Sequence, residues 1–344
     1  MKKDILSMLP QEIEQELVSL GEPKYRAKQI FRWLHRGVRD FEEMTDLSKA
    51  LRAKLRENFI LYRPKVSYKQ VSKLDGTIKY LWELQDGNAV ETVVMSYKHG
   101  NTVCISSQVG CRQGCAFCAS TIGGLVRSLE PSEMLDEVLF SQLDSGKEIS
   151  NIVLMGIGEP LDNFDNVMRF LRLVNHPEGM NIGMRHISLS TCGLTERFED
   201  LARQDMALTL SVSLHAPDDE TRSQIMPANR GRGVAQLMAS CRTYYEKTGR
   251  RISFEYAMID GVNDTERHAR LLAQRAKETG AHVNLIPLNH VEERRFQPST
   301  QGHMKQFIKI LEDAGVNVTV RRKLGGDIDA SCGQLRHKKQ KKAE

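Results

Sequence analysis

Three cysteines define the most specific chemistry available to this sequence. Cys111, Cys115 and Cys118 fall in Ser106-Ser107-Gln108-Val109-Gly110-Cys111-Arg112-Gln113-Gly114-Cys115-Ala116-Phe117-Cys118, with three and then two residues between them. Thiolates this close on one loop can converge on a soft metal centre, zinc or iron–sulfur. A closed site of either kind normally takes four protein ligands, so three from one loop leave a coordination position for something else. Two plainer readings stand beside this one: three cysteines close by chance, or a structural zinc site completed by Cys104, seven residues upstream. Further along, Gly156-Ile157-Gly158-Glu159-Pro160 combines glycines that let backbone approach a ligand with a carboxylate suited to an ammonium group.

These residues must be positioned by the elements around them. From about residue 102 the pattern alternates strand and helix. The expected strands are Thr102–Ser107, Asn151–Met155, His186–Ser190, Thr209–Leu214, Ile252–Met258, His282–Ile286 and Asn317–Arg321. Between them run helical stripes such as Val167, Phe170, Leu171 and Val174, or Met304, Phe307, Ile308 and Leu311. Such alternation predicts a parallel sheet covered by helices, and about six units suit a partial barrel better than a full eight-unit one. Ligands in such folds bind at the carboxyl ends of the strands. Those ends are polar here: Ser188-Leu189-Ser190-Thr191-Cys192-Gly193, Ser211-Val212-Ser213-Leu214-His215 and Asn284-Leu285-Ile286-Pro287-Leu288-Asn289. Alternate small hydroxyls on an apolar strand put the hydroxyls on one face.

Upstream, residues 1–60 read as a helical unit. Pro10 and Pro23 open two helices, and a third amphipathic segment runs from Leu47 to Phe59. Arg26, Lys28, Arg32 and Arg36 share a face of the second helix, beside Tyr25, Phe31 and Trp33; this suits a phosphate backbone as well as it suits a solvated surface. Residues 61–96 alternate with period two around Asp75-Gly76 and Asp86-Gly87, which predicts a β-hairpin extension. The catalytic unit then spans 97–335, with Cys332 in a glycine-flanked segment near its end, and 336–344 form a basic tail. A hydrophobic fraction of 40% with 27% charged residues is ordinary for a soluble domain, and a net charge of +5 alone diagnoses no partner. No run approaches the roughly 18 apolar residues of a membrane span, and no signal-peptide core follows Met1, so a cytoplasmic protein is expected. Seven cysteines in a chain of 344 residues favour metal or redox chemistry over a disulfide scaffold.

The cysteine spacing resembles that of the radical S-adenosylmethionine (SAM) superfamily, where three such cysteines hold a [4Fe-4S] cluster and SAM completes it. A Gly-Glu-Pro turn one strand–helix unit later is similar to the motif that binds the SAM amino group there. Together with Ser-Leu-His-Ala-Pro, Asn-Leu-Ile-Pro-Leu-Asn and Asp-Ile-Asp-Ala-Ser-Cys-Gly-Gln-Leu, these segments resemble the radical SAM adenosine-C2 RNA methyltransferases, which act on both 23S rRNA and tRNA. The resemblance implies an α/β fold: a partial (β/α)6 radical SAM barrel with an amino-terminal helical RNA-binding accessory domain. It implies Cys111, Cys115 and Cys118 as cluster ligands, with Gly158, Glu159, Ser190, Ser213, Leu214, His215 and Asn289 at SAM. Cys332 would carry a methyl group, Cys104 would resolve it through a transient disulfide, and Glu91 would accept a proton. Two SAM molecules per turnover, an electron donor such as flavodoxin or ferredoxin, and a monomeric enzyme with no membrane partner complete the expectation. A neighbouring class methylates carbon 8 of the same rRNA adenosine; Ala119-Ser120-Thr121-Ile122-Gly123-Gly124 looks more like the carbon-2 group.

Overall fold

In the computed structural model, which describes residues 2–289, 291 and 293–328, one ten-stranded sheet organises the chain. Three antiparallel strands come first: β1 (Lys65–Val71), β2 (Ile78–Glu83) and β3 (Ala89–Tyr97). Seven parallel strands follow: β4 (Gly100–Cys104), β5 (Ile149–Leu154), β6 (Ile187–Thr191), β7 (Thr209–Ser213), β8 (Ser253–Met258), β9 (His282–Pro287) and β10 (Val318–Val320). They lie in chain order across the sheet, and among the described residues β1 and β10 are its two unpaired edges, which makes an open barrel. The expected hairpin extension is continuous with the barrel, because β3 pairs antiparallel with β4 and sets Val93 opposite Cys104.

Helices return the chain between successive parallel strands. They are α4 (Pro131–Ser145), α5 (Phe164–Asn175), α6 (Phe198–Arg203), α7 (Asp219–Ile225), α8 (Gly233–Thr248), α9 (Glu266–Thr279) and α10 (Gln301–Asp313), preceded by α1 (Pro10–Ser19), α2 (Arg26–His35) and α3 (Lys49–Asn58) in the amino-terminal unit. Strands β4 to β9, each followed by helix, make the six units that the alternation predicts, and β10 adds a seventh strand at the edge. On β6 the burial alternates: Ile187, Leu189 and Thr191 are buried against helices while Ser188 and Ser190 face the other side. The expected limits agree to within a few residues. The clearest difference is β4, which ends at Cys104, because beyond it the chain turns away to pair Gln108–Gly110 with Leu125–Ser128.

The amino-terminal helices share one apolar core with the barrel: Ile13, Ile30, Phe31, Leu51 and Leu55 pack in the same cluster as Val138, Phe170 and Leu189. Buried Arg63 joins the two parts, with Nε donating to Val38 O at 3.0 Å, Nη2 donating to Leu34 O and Nη1 paired with the Asp136 carboxylate of α4. Of the basic residues on α2, Lys28 and Arg32 pair with Glu178, while Arg36 lies 5.3 Å over the Trp33 ring. No described helix is long and apolar enough to cross a membrane.

Candidate active site

A cavity of about 320 Å³ opens at the carboxyl ends of the parallel strands, where this architecture places ligands. Its wall includes Cys111, Cys115, Cys118, Gly158, Glu159, Ser190, Ser213, His215 and Asn289. The structure therefore brings together all but one of the residues expected at the cluster and at SAM. The exception is Leu214, whose side chain is fully buried in the core. Only its backbone can serve a ligand.

The cysteine loop is held at several points. Gly110 adopts φ +81, and a Cβ there would stand 1.9 Å from Gly124 O; the adjacent Cys111 N–H donates to the same carbonyl at 2.9 Å. Ala116 N–H donates to Ile225 O at 2.8 Å, tying the loop to the end of α7. Arg294 Nη2 donates to Cys118 O at 3.0 Å and to Thr121 Oγ1 at 2.8 Å, clamping the far end. Gly158 (φ +108) lies so close to Gln108 that a Cβ would meet Gln108 Cβ at 2.6 Å. Gln108 Oε1 in turn accepts from Glu159 N–H at 2.9 Å, so the Gly-Glu-Pro turn is laid against the strand that leads into the cysteine loop.

Electrostatics show how poorly bare thiolates suit this place. Burial pushes the Cys111 thiol up to about 12, and the charges of Cys118 and Glu159 act in the same direction. Cys115 is raised as well, first by burial and then by Cys118 and Cys111. Three thiols that oppose one another's ionisation are what a cationic metal core would reverse, since coordination strips the proton. Ser120 Oγ, buried in the same wall, has no hydrogen-bond partner among the described residues, so a polar donor also waits there.

The opposite lobe of the cavity is polar. Ser190 Oγ and Ser213 Oγ are 3.3 Å apart. His215 is held at φ +55 and its Nδ1 accepts from Ala257 N–H at 2.9 Å. Burial, with help from Arg222, pulls His215 down to about 3, so it is a neutral ring with Nε2 as the protonated nitrogen. Glu159 differs from the sequence expectation in one respect: its two oxygens already accept from Leu161 N–H at 3.0 Å and Cys192 N–H at 2.7 Å. It shapes the turn as well as facing the cavity, and burial raises its pKa against those two bonds.

Cys192 and Arg321, at the ends of their strands, also line the cavity, as does Glu255, which the strand-end reading overlooks. Glu255 sits in mid-strand, buried, accepting from Asn284 Nδ2 at 2.7 Å, and burial raises its pKa. An acid inside the apolar run Ser253-Phe254-Glu255-Tyr256 was the available signal.

Cys104 lies behind the cavity wall nearest β3. It is buried with Val93, Met95, Tyr97, Val153, Met155 and Leu324, of which Val93, Met95, Met155 and Leu324 themselves line the cavity. Glu91 lies two residues along β3 from Val93, the register partner of Cys104, and its carboxylate is 2.6 Å from Lys79 Nζ; both are almost fully buried, at 3% and 0% exposure. Cys332 lies outside the described residues. The chain leading to it is placed as far as Ile328 and is bound to the β1–β2 turn: Gly325 N–H donates to Asp75, and Asp327 accepts from Ser72 Oγ at 2.6 Å and Lys73 N–H at 2.8 Å.

Comparison with known proteins agrees with this geometry. The family model described as "Ribosomal RNA large subunit methyltransferase N-terminal domain" matches residues 3–61, and that of the radical SAM superfamily matches residues 105–273. A protein of Lachnoclostridium phytofermentans named "Probable dual-specificity RNA methyltransferase RlmN" is 52% identical over 336 residues, 97% of this chain and 94% of the relative. One from Alkaliphilus oremlandii with the same name is 52% identical over 337 residues, 98% of each. A crystal structure of a radical SAM methyltransferase from Sphaerobacter thermophilus superposes with a TM-score of 0.92 at 41% identity, covering 96% of this chain and 98% of that one. This chain therefore belongs to the RlmN family of radical SAM RNA methyltransferases, whose cofactors are a [4Fe-4S] cluster and SAM.

Proposed function

We propose that this enzyme methylates carbon 2 of adenosine, in the peptidyl-transferase region of 23S rRNA and 3′ to the anticodon in some tRNAs. The methyl group would travel on Cys332, and a transient disulfide with Cys104 would release the product. The dual-specificity name carried by the relatives supports two RNA classes. One observation carries the reading: a single cavity has the three cysteines and the Gly158–Glu159 turn on one side and, on the other, the Val93–Met95–Leu324 wall packed on Cys104.

Carbon 2 of adenine is electron-poor and carries no nucleophilic lone pair, so direct displacement on a sulfonium is unsuited to it. When bound together, the cluster and SAM would supply one-electron radical chemistry able to take a hydrogen atom from a methyl group, a route that needs no nucleophile. Cys111, Cys115 and Cys118 hold the cluster. Gly158, Glu159, Ser190, Ser213, His215 and Asn289 seat SAM, with Leu214 contributing backbone alone. The apolar wall of Val93, Met95 and Leu324 excludes water from the reacting carbon. Joining the Cys332 methyl carbon to carbon 2 would cost the methyl group one hydrogen atom, taken by that radical chemistry, and the adduct one electron, returned to the cluster, as Glu91 takes the ring proton. The Cys104 thiolate then attacks the Cys332 sulfur; the S–S bond forms as the S–C bond breaks, and the carbon leaves with the RNA and is protonated. Helices α1–α3 present the RNA surface, with Tyr25 62% exposed under Arg26 and the Arg36–Trp33 pair nearby. The target base is extruded into the barrel mouth. A flavodoxin- or ferredoxin-type donor supplies the electron to a cytoplasmic monomer.

The test is anaerobic reconstitution with iron, sulfide, SAM, reductant and an rRNA fragment, followed by mass spectrometry of the nucleosides. Formation of 2-methyladenosine supports the assignment. Formation of 8-methyladenosine, or unmodified adenosine from protein with a full cluster, contradicts it.

A further inference from the structure

Arg222 is among the largest fully buried side chains in the molecule, 1% exposed, and its surroundings are unusual for a buried charge. It extends from α7 into the space between the ends of β6 and β7. Nε donates to Leu214 O at 3.0 Å, Nη1 to Asn229 Oδ1 at 2.7 Å, and Nη2 to Cys192 O at 2.6 Å and Ser213 O at 3.4 Å. Every one of these acceptors is neutral, and among the described residues no carboxylate lies within ion-pair distance of the guanidinium. Asp219 reaches it only through the Asn229 amide, whose Nδ2 donates to Asp219 Oδ1 at 2.9 Å. A buried cation without a carboxylate partner is costly, and proteins retain one where another negative group compensates it.

Its position identifies that group. Cys192, whose carbonyl takes the shortest of the bonds, lines the same cavity as Cys115. The helix that carries Arg222 also accepts, at Ile225 O, the amide of Ala116, the residue after Cys115. The side chain is thus fixed against Cys192 in the cavity wall, on the helix that also holds the cysteine loop.

We propose that Arg222 is the fixed counter-charge of the iron–sulfur cluster, and that it sets the cluster's reduction potential by stabilising the reduced state. This rests on the reading that Cys111, Cys115 and Cys118 hold the cluster. Adding an electron makes the cluster more negative by one charge, and a buried cation close by favours that state more than the oxidised one. Net charge and solvent exposure are among the quantities that tune such potentials. Arg222 touches neither substrate nor reacting atoms, so it is a positioning and electrostatic residue.

The experiment is an EPR-monitored redox titration of the anaerobically reconstituted full chain, with Arg222→Gln and Arg222→Lys beside wild type and iron and sulfide content measured on each. Arg222→Gln should be harder to reduce by at least a factor of about 10 in the reduction equilibrium, a shift of about 59 mV to more negative potential for one electron. Arg222→Lys keeps the charge and loses the fork. It should therefore stay within that factor of wild type while its thermal unfolding midpoint falls. If Arg222→Gln takes up no iron but Arg222→Lys fills normally, the charge is again what matters. The proposal is overturned if fully loaded Arg222→Gln keeps the wild-type potential, if Arg222→Lys shifts as far as Arg222→Gln, or if both variants fail alike to take up iron, which would mark a purely structural role. Wild-type protein that binds no cluster would instead remove the underlying ligand assignment.

Discussion

Asp75 Oδ2 accepts a hydrogen bond from the Gly325 amide at 2.8 Å, although 250 residues separate the two. With the two bonds from Ser72 and Lys73 to Asp327, it fastens the segment preceding Cys332 to the β1–β2 turn. The same turn leads into Thr77, a residue of the cavity wall. Leu324, one residue before the clamp, packs on the cluster that contains Cys104. The turn therefore holds the carboxy-terminal segment on the side of the cavity where Cys104 is buried.

Loosening this clamp should slow methyl transfer and spare the cluster. In Asp75→Ala combined with Asp327→Ala, the rate of RNA methylation is expected to fall roughly 10- to 100-fold, the scale on which small misplacements of reacting groups act. Iron content and SAM binding should stay at wild-type levels. Single-turnover methylation beside an iron assay checks both; a clamp variant with wild-type rate would show that the bonds do not position Cys332.

Removing Cys104 should stop the reaction after carbon–carbon bond formation. Cys104→Ala protein, incubated with SAM, reductant and RNA, should accumulate RNA covalently attached to the protein, because no thiolate remains to break the S–C bond. Denaturing gel electrophoresis reads this directly. Free methylated RNA at the wild-type yield would assign the resolving role elsewhere.

Glu137 offers a test through pH. Its carboxyl is buried on α4, its Oε2 accepts from Thr92 Oγ1 at 2.7 Å and Ser106 N–H at 3.0 Å, and Oε1 has no partner among the described residues. Burial raises its pKa well above the usual carboxylate value. Between the unfolded and the folded pKa the native state then holds a proton that the unfolded chain has released. Stability must fall as pH rises through that window. Glu137→Gln carries no titrating proton, so its unfolding midpoint relative to wild type should climb steadily from pH 5 to pH 8. A constant offset between the two proteins across that range would mean that Glu137 is ionised in the fold.

The joint between the amino-terminal helices and the barrel depends on the buried Arg63–Asp136 pair. Asp136→Ala leaves the guanidinium buried without its partner and is expected to cost about 3–5 kcal/mol in chemical denaturation. A loss below 1 kcal/mol would mean that water or a rearranged carbonyl compensates the charge.

Much of this site could be read from local pattern. The cysteine loop, the Gly158–Glu159 turn and the hydroxyls of Ser190 and Ser213 are short-range signals, and parallel α/β topology sends all of them to one end of the sheet. Leu214 is buried in the core, so of the run Ser213-Leu214-His215 only its neighbours turn side chains to the cavity. Glu255 was passed over because it lies within a strand and not at its end. Arg222 and the Asp75–Gly325 clamp had no local signature at all. A buried guanidinium and a bond across 250 residues arise from packing between elements, and neither leaves a periodicity to find. The basic face of α2 shows the same limit: Glu178, on a distant loop, takes up Lys28 and Arg32.

The most direct test of the account is the reaction of Cys332→Ala protein. Reconstituted with a full cluster and supplied with SAM, reductant and rRNA fragment, it should give no 2-methyladenosine by mass spectrometry, while iron content and SAM binding match wild type. Methylation at the wild-type level by this variant would contradict the cysteine-carried mechanism.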